Sequence, residues 1–101
     1  MNSLKTMAKM EDEVGIIASI YVASIKYCFA NTQCLQNKTP VLYIHRVDEA
    51  LRLIGERHRQ VIQNDFIFRK SQWWKSIYST KLYLAIRQVA VGSFLMHFYE
   101  S

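Results

Sequence analysis

The sequence predicts an all-α fold, and three observations carry that expectation. One Pro and three Gly in 101 residues leave little punctuation for strands and tight turns. Half of the residues are apolar, enough for a packed core and too many for a disordered chain. Those apolar residues recur at steps of three and four, the period of a helix face. The length suits one compact domain. Within it we expect an N-terminal amphipathic helix over 1–30, a linker over 31–39 and a helical domain over 40–101.

Ser3–Ala30 reads as the first helix, with Ser3 as its N-cap. Leu4, Met7, Met10, Val14, Ala18, Tyr21, Ile25 and Cys28 share one face. Ile16, Ile17, Ile20 and Val22 widen the apolar surface beyond a single stripe, so this helix should be covered on several sides, by the core or by a second chain. Asn31–Thr39 is polar and aperiodic, as a linker should be. Thr39 and Pro40 fit an N-cap followed by the first helical residue. The second helix then runs to Ile54 with Val47, Ala50, Leu51 and Ile54 inward. Gly55 suits the left-handed position that often follows a helix. Glu56 opens a third helix, where an acid complements the N-terminal dipole, and Val61, Ile62 and Phe66 form its apolar face. Ser71 is expected to cap a short helix holding Trp73, Trp74 and Ile77. Ser79 caps the final helix, which continues to about Tyr99. Its buried stripe is Tyr83, Ile86, Ala90 and Phe94, and Thr80, Lys81, Leu84, Arg87 and Gln88 fall on the outer side.

Charge is concentrated rather than spread. The net charge is +5, and eight cations face two acids between Arg52 and Arg87. Residues 1–40 hold four cations and three acids. A basic excess of this kind is an electrostatic footprint for phosphates; read from charge alone, a solvated basic face with no ligand fits equally.

The most specific pattern lies in Leu53–Leu95. It begins Ile54-Gly55-Glu56-Arg57-His58-Arg59-Gln60-Val61-Ile62, continues through Trp73-Trp74-Lys75-Ser76-Ile77-Tyr78, and ends in a helix opened by Ser79. A short helix, a tight turn and a second helix make a shape that fits the DNA major groove. This stretch resembles region 4 of sigma-70-type transcription factors and the small phage and mollicute regulators of similar build, over roughly Leu42–Leu95, about half of the chain. Their opening helix has a similar Arg-x-Arg-x-Val-Ile pattern. Their recognition helix opens with Ser and carries apolar residues 4, 7, 11 and 15 places later, here Tyr83, Ile86, Ala90 and Phe94. The Trp-Trp-x-x-x-Tyr-Ser run looks like their variant scaffold helix. This chain departs from the pattern in lacking a Gly in the turn and in placing Leu82 and Leu84 where polar base-reading residues normally lie.

The resemblance implies a cytoplasmic regulator of transcription that reads double-stranded DNA with its final helix. The implied DNA-contacting set is Arg69, Lys70, Lys75, Thr80, Lys81, Leu84, Arg87 and Gln88. Arg69, Lys70 and Lys75 would approach phosphates, which set register without reading sequence. Lys81 and Arg87 would reach base edges or phosphates, and Gln88 an adenine. The alternative is a helical interaction module that docks on a protein such as RNA polymerase through Leu82, Leu84 and the apolar face of the first helix. Buried together, Trp73 and Trp74 would fill the core under the turn.

Other chemistries are not expected. Acids are few and no phosphate loop, nucleophile elbow or His-Glu-x-x-His pattern occurs, so the chain reads as no enzyme, with no catalytic residues, metal or cofactor. Cys28 and Cys34 match neither a Cys-x-x-Cys redox pair nor a zinc knuckle and are expected as free thiols in a reducing cytosol. Val14–Ile25 is a twelve-residue apolar run, short of the about 20 that a membrane span needs. No membrane partner is therefore expected, and a homodimer through the first helix is the alternative to its burial in the core.

Overall fold

The computed structural model describes residues 3–30 and 38–100. They form α1 (Ser3–Ala30), α2 (Lys38–Leu53), α3 (Glu56–Ile62), which continues as a π-helical segment (Gln63–Ile67), and α4 (Thr80–Glu100). No strand occurs among the described residues, so the fold is all-α. The 28 residues of α1 span about 42 Å at about 1.5 Å per residue, close to the 46 Å long dimension of the molecule. α1 packs most extensively on α2, and also on α4 and the π segment; α3 packs mainly on α4.

The core forms where the apolar stripes meet. Val14 and Ile17 of α1, Val47, Ala50 and Leu51 of α2, Val61 and Ile62 of α3, and Ile86, Ala90, Val91, Phe94, Leu95 and Phe98 of α4 are all buried. The expected inward residues of α2, including Ile54, and the expected stripe of α4 are therefore in place. α2 starts at Lys38, so Pro40 is its third residue rather than its first. It still lies in the first turn, where a missing N–H leaves no helical bond unmade.

Gly55 corrects one expectation. It is extended, with φ −62° and ψ 155°, and is the N-cap of α3. A left-handed residue after α2 is unnecessary because Arg59 caps that helix from outside. Its Nε donates to the Leu51 carbonyl at 2.8 Å, and its second guanidinium nitrogen donates to the carbonyls of Arg52 and Ile54 at 3.3 Å. These carbonyls are among the acceptors a helix C-terminus leaves open.

The expected short helix at Ser71 is a second correction. Residues 71–77 are consecutive turns, held by backbone bonds from Lys75 to Gln72 and from Ile77 and Tyr78 to Trp74. Arg69 and Gln72 both have φ 54°, a left-handed conformation that a regular right-handed helix cannot contain. The chain recovers at Ser79, whose hydroxyl accepts from the Leu82 N–H at 3.2 Å, as the expected N-cap of α4 should.

Two further expectations meet the structure. Cys28 is disulfide-bonded rather than a free thiol. Its spacing to Cys34, which lies outside the described residues, excludes a redox motif without excluding a bridge. The segment Thr6–Ala30 is long and apolar enough to cross a membrane by length and composition, although its longest apolar run is shorter. Val14, Ile17 and Ala18 of that helix lie in the protein core.

Candidate nucleic-acid interface

Asp65 organises the end of the molecule where α4 begins. It sits in the middle of the π segment, whose backbone hydrogen bonds span five residues instead of four and so re-aim the side chains that follow. The indole N–H of Trp73 donates to its Oδ1 at 2.7 Å. The Tyr83 hydroxyl and the Arg87 guanidinium both donate to its Oδ2. Arg87 also reaches Glu11 of α1 at 3.2 Å and lies over the Phe66 ring, 4.6 Å from its centre. One carboxylate thus joins the π segment, the turns and α4, and Arg87 extends the link to α1.

This arrangement fixes two titrations. Burial, reinforced by the hydrogen bond to Asp65, pushes the Tyr83 hydroxyl up to about 12. Burial alone would lower the Arg87 pKa, but the hydrogen bond with Glu11 and the surrounding negative charge outweigh it and raise the value. Arg87 therefore remains a cation held inside the fold. The expectation that it lies on the outer side of α4 is corrected: its side chain is only 20% exposed, because it stands four residues after buried Tyr83 and beside buried Ile86.

The tryptophans take the packing role. Trp74 stacks on Tyr83 with centroids 4.2 Å apart and planes at 7°. Trp73 meets Tyr78 and Tyr83 edge-on. Both anchor the turns on the first two turns of α4.

The remaining expected residues are exposed, at different places. Thr80, Lys81, Leu84 and Gln88 stand on the outer side of the N-terminal half of α4, and Lys75 is exposed in the turns just before it. Arg57, which the sequence reading left out of the contacting set, belongs to this group, since its guanidinium lies over the Tyr78 ring at 5.8 Å. Arg69 instead lines a hollow against α1 together with Lys26. Lys70 is exposed beside the Phe68 ring, 5.6 Å from its centre. The basic excess is accordingly smaller at the surface than in the sequence: Arg52 pairs with Glu49, Arg59 caps α2 and Arg87 faces Asp65 and Glu11. The sequence does carry a signal for Asp65, which is the single acid between Glu56 and Glu100.

A cavity of about 400 Å³ lies between α1, α2 and α3 and is lined by Tyr21, Asp48, Arg52 and Arg59 among others. The Tyr21 hydroxyl donates to Asp48 there at 2.6 Å. Among the described residues, no cluster of His, Cys, Asp and Glu could hold a metal ion. No known protein family, curated protein or solved structure matches the chain.

Proposed function

We propose that this protein binds duplex DNA through the N-terminal half of α4 and acts as a regulator of transcription. The observation that carries the reading is the outward row Thr80, Lys81, Leu84 and Gln88 on a helix start capped by Ser79, with Lys75 and Arg57 alongside. Cations next to an exposed helix N-terminus suit phosphates, and a helix presented this way can lie in a major groove. The sequence resemblance to sigma region 4 supports the same reading. Arg87 drops out of the contact set, which leaves Gln88 and Lys81 as the base-edge candidates.

Affinity for random duplex DNA, titrated with salt, tests it. If Arg57, Lys75 and Lys81 each neutralise one phosphate, log affinity falls against log salt with a slope of about −2.7. Lys75→Ala then flattens the slope by about one unit and weakens binding to all sequences alike. Affinity weaker than about 100 μM at low salt overturns the proposal. That outcome favours a protein partner such as RNA polymerase, a reading supported by Leu82 and Leu84, which are 47% and 55% exposed.

A further inference from the structure

α1 is apolar on both sides. Val14, Ile17 and Ala18 face the core. On the opposite side Ile16, Ile20, Ala23 and Tyr27 recur at steps of 4, 3 and 4, the spacing of a coiled-coil seam. Ile16 is 61% and Ile20 43% exposed, so a monomer presents the centre of this seam to water.

The flank of the seam carries charge in a particular order. Asp12, Ser19 and Lys26 follow one another at intervals of seven residues and therefore lie along one side of the helix. Asp12 and Lys26 are both exposed. Lys26 also lines, with Ser19, Ala23 and Arg69, a hollow of about 380 Å³ between α1 and the π segment. That hollow has two cations in its wall and no acidic side chain.

We propose that a second copy of this chain docks antiparallel along the outer face of α1, with Asp12 of each copy meeting Lys26 and Arg69 of the other. A two-fold axis at Ser19 brings Asp12 of one copy opposite Lys26 of the second, twice by symmetry. Facing positions in this register sum to 38, so the two small Ser19 side chains meet at the axis and each Ile16 lies within one residue's rise of the small Ala23 of the other copy, which lets the helices approach closely. In a parallel pair the two copies of this flank lie on opposite sides of the seam, so Asp12 and Lys26 would find no oppositely charged partner across it. None of the residues named in this pairing belongs to α4, and the proposal stands whether or not that helix reads DNA.

Sedimentation of the full chain over a wide concentration range is the first measurement, and a reversible dimer is expected. Asp12→Lys and Lys26→Asp, made separately, each raise the dimer dissociation constant about tenfold or more. Mixed together, these two variants restore association, because each repulsive contact becomes attractive. Both positions are exposed, so the helical circular dichroism of each variant matches the parent. Ser19→Cys, at the axis, gives a chain-to-chain disulfide on oxidation. A parent chain that stays monomeric, including one that floats with anionic phospholipid vesicles as a monomer, overturns the proposal. So does self-association that both charge reversals leave unchanged.

Discussion

Arg87 stands at the edge of the buried stripe of α4, and its guanidinium faces carboxylates from two other elements, Asp65 and Glu11. Arg87→Ala leaves those carboxylates partly buried without their cation, and we expect a loss of about 2–4 kcal/mol in urea denaturation. Arg87→Lys restores only part of it, because a compact ammonium lacks the planar, two-pronged reach by which the guanidinium meets both carboxylates. A loss below about 0.5 kcal/mol would place the pair among solvent-screened surface contacts. The sequence placed Arg87 on the outer side of α4, although the helical period sets it next to Ile86 and one turn from Tyr83. Its partners were not legible. Asp65 lies 22 residues away and Glu11 76, and no local pattern links them. A cation near a buried stripe looks the same in sequence whether it turns toward water or toward a distant acid.

The final helix was legible because its cap and its stripe agree: Ser79 bonds the Leu82 N–H, and Tyr83, Ile86, Ala90 and Phe94 are all buried. Ser79→Ala removes the cap without disturbing the core and should cost about 1 kcal/mol, read as a lower denaturation midpoint with an unchanged slope against denaturant. The segment before it was not legible as turns. Ser71, Trp73, Trp74 and Ile77 carry a helical spacing, yet the left-handed Gln72 interrupts it. Trp73 bonded to Asp65 and Trp74 stacked on Tyr83 hold the turns in place, so tertiary packing overrides a weak local preference. The candidate interface divides the same way. Thr80, Lys81 and Gln88 are exposed where the period of α4 puts them. The direction of Arg69, by contrast, depends on a backbone turn that the sequence did not announce.

Across the described residues, tyrosine–carboxylate contacts tie elements together, the Tyr99–Glu13 bond between α4 and α1 among them. Tyr21 of α1 donates to Asp48 of α2, and Tyr83 of α4 donates to Asp65 of the π segment. Both hydroxyls are pushed up to about 12, first by burial and then by the hydrogen bond to the carboxylate. The folded chain therefore holds these two protons more tightly than the unfolded chain, where the phenol titrates near 10. The associated stability is complete below about pH 10 and disappears as pH rises through about 12. Denaturation midpoints should be flat in this respect up to about pH 10 and fall beyond it, with Tyr21 and Tyr83 among the tyrosines that ionise late by ultraviolet absorbance. Tyr83→Phe should remove one of the late ionisations. The contact between Glu11 and Arg87 has a consequence of another kind, in the order in which the chain is made. At about 5–20 residues per second, Arg87 follows Glu11 out of the ribosome's catalytic centre by about 4–15 s. During that interval α1 has no α4 to lie against, and much of its apolar surface is open to water or to any binding chaperone. Of the described helices, α1 thus waits longest for its core-facing side to be covered.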